Sequence, residues 1–288
     1  MADATEKQTD ERAKGSGRPD LGSIGGVVLA FGGILGGLVL EGGSLKDIAQ
    51  ITAALIVLGG TFGAVLINTP LPVVKGAARR ILGVFKESAE SSTALIEEII
   101  GYATKARKNG LVSLEQEAED VKDPFLKKAL TLAVDGTDLQ EMRKMLELAI
   151  TVNEQQADNE AKVFESAGGY APTIGIIGAV MGLIQVMKNL ANIDEVGHGI
   201  AVAFVATVYG VGLANILLLP AAAKIKARSQ EETARKELIL EGVLSIVEGL
   251  NPKLIRSKLE VFDHTPKVAR KAARETGETP AVTEAVEG

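Results

Sequence analysis

The chain has no cysteine and no tryptophan, only two histidines, and 3% aromatic residues in all. Without cysteine there are no disulfides, no thiol nucleophile and no thiolate metal site. His198 and His264 stand far apart in sequence, one at a helix edge and one in a polar tail, so they form no ligand set for a metal. No phosphate-binding glycine loop and no pairing of nucleophile with base can be found either. These absences disfavour an enzyme, and no cofactor is expected. The net charge of −6 mixes both signs along the polar parts, and no nucleic-acid partner is expected.

The most informative absence is that of charge. Residues 21–40, 48–67, 167–187 and 197–220 contain no Asp, Glu, Lys or Arg, with His198 at the edge of the last stretch. Each stretch is close to the roughly 20 residues that cross a bilayer's hydrocarbon core. The other stretches are rich in charge, so the chain divides into membrane and water-soluble parts. The first stretch lacks a basic lead into a short apolar core with a small-residue cleavage site, and is read as a retained span.

The expected organisation follows from these windows. Residues 1–19 form a disordered polar tail, 20–67 the first two transmembrane helices and 68–165 a large helical loop. Residues 166–221 form the third and fourth transmembrane helices, 222–263 further helices and 264–288 a second disordered tail. The fold class is an all-α integral membrane protein with four transmembrane helices. Lys75, Arg79, Arg80, Lys162, Lys224, Lys226 and Arg228 flank the spans on the side of the large loop, whereas the short connections carry only Lys46 or Lys188 among acids. The positive-inside bias then puts the large loop and both termini in the cytoplasm of a multi-pass protein of the cell inner membrane.

In the loop, Ile81, Leu82 and Phe85, then Leu95, Ile96, Ile99, Ile100 and Ala103, recur at helical spacing until Gly110. Ser113 with Gln116 has the pattern of a capping box that restarts a helix. Asp123-Pro124 opens another helix, and a long one is expected from Thr137 or Asp138 to about Glu165, ahead of the third span.

Inside the spans, glycines recur four apart: Gly32 with Gly36, Gly33 with Gly37, Gly59 with Gly63, and Gly178 with Gly182. Helices in lipid associate through such small residues, either within one subunit or between copies. Thr207 and Tyr209 are among the few polar groups at membrane depth. A membrane threonine most often bonds its own i−4 carbonyl, and lining a pathway is the alternative. Pro172 and Pro220 fit either a helix entrance and a helix end or kinks that flex. A carrier that moves ions alone would keep an acid or base within the spans. If this chain conducts ions, the titratable group belongs to another chain.

Four segments together resemble one family: "GGSLKDI", "ARKNGLVSLEQE", "APTIGIIGAVMGLI" with "FVATVYGVGLANILLLPAAAKIK", and "EGLNPKLIRSKLEVF". They are similar, in this order, to the A subunit of the bacterial flagellar stator, the MotA/PomA family within the MotA/TolQ/ExbB superfamily, over roughly residues 21–262. The resemblance implies a ring of A subunits, a pentamer, around a dimer of B subunits of MotB/PomB type, whose membrane helix brings the ion-binding aspartate. It implies that Thr207 faces that aspartate and that Thr207, Ala179 and Tyr209 line the ion path. Pro172 and Pro220 match the prolines that couple ion binding to conformational change. Arg107 and Glu115 match the charged pair that works on the rotor protein FliG, with Lys105 and Lys108 sharing the load. Sodium-driven relatives place a threonine where Ala179 stands, so protons are favoured as the coupling ion. An ExbB/TolQ-type energising subunit is the alternative, disfavoured by four spans with the large loop after the second.

Overall fold

The computed structural model describes residues 20–84 and 92–262. The expected tails, Phe85 of the apolar stripe, and His264 lie outside the described residues. Every regular element among the described residues is helical. We label them α1 (Leu21–Leu40), α2 (Leu45–Ile48), α3 (Ile51–Asn68), α4 (Leu71–Val84), α5 (Ser92–Asn109), α6 (Glu115–Asp120), α7 (Pro124–Val134), α8 (Leu139–Lys188), α9 (Ile193–Val247) and α10 (Pro252–Leu259). Four of them, α1, α3, α8 and α9, are long and apolar enough to cross a membrane.

Local chemistry sets the ends. Asp20 caps α1 by accepting from the Ser23 amide at 3.1 Å. Asp123 caps α7 by accepting from the amides of Phe125 and Leu126 at 2.8 and 3.0 Å, and Pro124 fills the first helical position, where no amide is needed. At Gly110 the chain takes φ +84°, a left-handed conformation that favours glycine and stops α5.

Several boundaries differ from those read in the sequence. The Ser113 hydroxyl donates to the Gly110 carbonyl at 2.7 Å within a short 3₁₀ turn, Leu111–Leu114, so Ser113 and Gln116 form no capping box. The second span starts at Ile51, not Ile48, because α2 closes first, with the Ser44 amide donating to Asp47 Oδ2 at 2.7 Å. The fourth begins at Ile193, since Asn192 caps it and Asp194 and Glu195 suit the positive end of its dipole. The third span is not a separate helix but the later part of the 50-residue α8. Two π-helical stretches, Leu55–Gly59 and Leu213–Leu218, interrupt the regular ladders of α3 and α9.

The described residues cluster into two units: 20–84 with 152–231, and 92–151 with 232–262. Residues 68–84 and 152–165, expected as part of one cytoplasmic loop, therefore cluster with the spans. The second unit has a core of its own, built from Ile99 of α5, Leu126 and Leu130 of α7, Met142 and Leu146 of α8, Leu238 and Leu244 of α9, and Ile255 and Leu259 of α10. All are essentially inaccessible to solvent. Arg143 and Lys258 both donate to Glu241, at 2.9 and 2.6 Å. Burial pushes the Glu241 carboxyl up, but these two cations outweigh it and hold the group below the ordinary glutamate range.

In the first unit the span residues meet through small side chains. Val65 of α3, Ala167 and Ala171 of α8, and Ala214 and Leu218 of α9 form one cluster, and Ala53, Val57, Val205 and Ala206 another. By contrast, no residue of α1 is buried.

Candidate functional site

The contact between α8 and α9 is a seam of glycine and alanine. A Cβ at Gly182 would lie 2.7 Å from the Gly199 carbonyl oxygen, at Gly175 2.9 Å from that of Ala206, and at Gly210 2.5 Å from that of Ala171. Real Cβ atoms do not approach backbone that closely, so only glycine fits at these three positions. Numbering falls along α8 as it rises along α9, so the two spans run antiparallel. In lipid, where apolar burial adds little, such close backbone approach is what holds helices together.

The seam divides the pair into two flanks. On one flank sits α3. Ile56 lies beside Gly178, Ile174 beside Gly60, and the Tyr209 hydroxyl donates to the Ile48 carbonyl at 2.5 Å, just before α3. On the opposite flank, each one residue beyond a seam position (171, 178 and 206), stand Pro172, Ala179 and Thr207. At 100° per residue an antiparallel pair brings these positions to the same side. All three are half-buried, among exposed Ile176, Leu183, Phe204 and Val211. The structure thus groups Thr207 with Ala179 and separates Tyr209, whose hydroxyl is engaged on the α3 side.

The Thr207 hydroxyl donates to the Ala203 carbonyl at 3.2 Å, the local i−4 bond. That bond uses its proton and leaves its oxygen free to accept. Within α1, α3 and the apolar parts of α8 and α9, no Asp, Glu, Lys or Arg is present to titrate. The flank offers an apolar wall with one hydroxyl oxygen and no acid.

Both prolines lie inside continuous helix rather than at an entrance or an end. Pro172 is interior to α8 and removes the amide that would bond the Gly168 carbonyl. Pro220 follows the π-helical stretch Leu213–Leu218, whose wider turn accommodates a ring without an N–H. Neither the π-helical stretches nor the glycine partners across the seam have a local sequence signature.

In the second unit, Arg107 and Lys108 occupy the last turn of α5, and Glu115 opens α6 across the Gly110 turn. Basic residues suit a helix C-terminus and acids an N-terminus, which gives each charge a local contribution of about 0.3–1 kcal/mol. All three are exposed, and none has an ion-pair partner among the described residues. Lys105 differs, because it is paired with Glu117 and holds that carboxyl below its ordinary range. Nearby, burial and a 2.6 Å hydrogen bond to Glu98 push the Tyr102 phenol up. The free charges of this face are therefore Arg107, Lys108 and Glu115.

This architecture, antiparallel spans with a glycine seam and a helical unit carrying exposed charges, matches a class of channel-forming subunits. Residues 117–238 match the MotA/TolQ/ExbB proton channel family, and residues 24–110 match the motility protein A N-terminal region. Motility protein A of Bacillus subtilis (strain 168) is 39% identical over 247 residues, 84% of this chain and 90% of that protein. The flagellar MotAB stator complex of the same organism contains a chain with a TM-score of 0.80 and 38% identity, covering 86% of this chain and 97% of that one. The C. jejuni MotAB structure gives a TM-score of 0.81 at 33% identity, with 86% and 97% covered. The chain belongs to the motility protein A branch, the MotA/PomA family, of these proton channel proteins.

Proposed function

We propose that this chain is the A subunit of a flagellar stator, which with a MotB-type B subunit forms an ion path and turns ion flow into torque. The observation that carries the reading is the flank of α8 and α9 opposite α3. It is apolar, open in the single chain, and carries the Thr207 oxygen but no acid. A B-subunit helix bearing a carboxylate would supply the missing titratable group, and copies of this chain in a pentameric ring would surround it. Thr207 and Ala179 face that helix in this reading. One hydroxyl without a second at position 179 is a poor site for a stripped cation, which favours protons.

Pro172 and Pro220 then give the helices a deformable stretch whose geometry the protonation state of the partner's acid biases. The exposed charges Arg107, Lys108 and Glu115 face the rotor protein FliG, where weak, screened contacts allow fast engagement and release. The spans sit in the cell inner membrane, with residues 68–165 and 222–263 and both termini cytoplasmic.

The test is deletion of the gene in cells stripped of any other stator set, scored as rotation of single tethered cells with their flagella stained. Assembled filaments that do not turn, restored by re-expression, support the reading. Normal rotation with an envelope or uptake defect would move the chain to an ExbB/TolQ-type role.

A further inference from the structure

Helix α4 is fixed to the first unit by one face only. Val73, Val74 and Ala77 pack with Val65, Val163 and Ala167, and Ile81 packs with Ile225. Arg80 on the same side is ion-paired with Glu160, a carboxylate buried to 6% exposure. A Cβ at Gly76 would strike that carboxylate, so the glycine permits the approach. The rotation of α4 about its axis is thereby set.

The outward face presents Leu71, Lys75, Arg79 and Leu82, all exposed. At 100° per residue they fall within an arc of about 80°. Lys75 and Arg79 have no carboxylate partner among the described residues. Their basic neighbours in this unit do: Lys162 pairs with Asp158, Lys224 with Asp20, and Lys226 with Glu165. Only Thr69 and Pro70 separate α4 from α3, and extended backbone at Thr69 breaks the helix between them. A helix leaving a membrane span at once, with two leucines and two unpaired cations on its free face and no acid anywhere in its sequence, has the chemistry of a headgroup-layer helix.

We infer that the free face of α4 binds anionic phospholipid, with Lys75 and Arg79 on the lipid phosphates and Leu71 and Leu82 in the upper acyl region. The inference stands on α4 itself and does not depend on the stator reading.

The experiment uses the full chain purified in mild detergent, incubated with equimolar phosphatidylglycerol and phosphatidylcholine, with retained lipid quantified by mass spectrometry. The wild type should retain the anionic lipid in preference, by about fivefold for each cation at low salt, and lose the preference as salt rises. K75Q/R79Q should retain both lipids equally, while K75R/R79K restores the preference and K188Q leaves it unchanged. Circular dichroism melting of each variant checks that the fold persists. Equal retention by the wild type, or a preference unchanged in K75Q/R79Q, would overturn the inference. It would also be overturned if K75Q/R79Q kept its lipid preference but lost its oligomer, which would assign the face to a second copy of this chain.

Discussion

Glycines in α1 and in the α8/α9 pair look alike in sequence and behave differently in the structure. Gly175, Gly182 and Gly210 are pressed against backbone, whereas a Cβ added at Gly32, Gly33, Gly36 or Gly37 would meet nothing within 4 Å. The seam glycines are needed to form the single chain. Those of α1 are not, and their face is available to something outside it. A small-xxx-small pattern therefore reports that close packing is possible, and the partner must be read from three dimensions.

The sharpest way to break this comparison is to fill both faces. G210V places a branched side chain against the Ala171 carbonyl and should abolish rotation, with a stability loss of about 3 kcal/mol or more from overpacking. G36V should change the stability of the chain by less than about 1 kcal/mol, since no neighbour is displaced. Thermal melting of the purified variants, alongside tethered-cell rotation, checks both. Equal damage from the two substitutions would erase the distinction.

Charge reversal comes next. In the R107E/E115R double variant, torque should fall severalfold while membrane insertion is retained and melting drops only slightly, because neither residue is ion-paired among the described residues and only the two helix-end charges are made unfavourable. Speed of tethered cells under load measures it, and unchanged torque counts against the rotor assignment.

A smaller effect separates the two flanks of the seam. T207V removes the hydroxyl from the open flank and should slow rotation with little change in stability. Y209F removes the bond to the Ile48 carbonyl and should cost about 1 kcal/mol of stability with rotation retained.

The smallest effect concerns the foot of α1. Asp20 accepts from Lys224 at 2.5 Å and from the Ser23 amide, which bring its carboxyl down from 3.8 to about 2. A depressed folded-state pKa contributes stability above the unfolded value, and that stability is lost as pH falls from about 4 through about 2. D20N should remove this part of the acid sensitivity, no more than about 2 kcal/mol, without altering melting measured well below the folded-state pKa of about 2. Melting curves at stepped pH check the sign.

The sequence makes some of this legible and hides the rest for identifiable reasons. The four spans are visible because charge is excluded from lipid, and Gly110 and Asp123-Pro124 because they act on their own backbone. Span boundaries shift by a few residues where caps such as Asn192 admit charged residues into the first turn. The pairing of Arg80 with Glu160 joins residues 80 apart in the chain and has no local mark. Thr207 and Tyr209 are two residues apart and look interchangeable in sequence, yet 200° of helical rotation puts them on opposite flanks. The role proposed for Thr207 comes from the resemblance to stator A subunits, and the seam puts Tyr209, expected to line the same path, on the other flank.

In the proposed function the α8/α9 flank is the wall of a path whose acid comes from another chain. The most direct measurement is proton flux into liposomes carrying this chain alone and together with its B subunit in an unplugged form. Flux is expected only with the B subunit, and is abolished when that subunit's membrane aspartate is replaced by asparagine. Flux through this chain alone would contradict that reading.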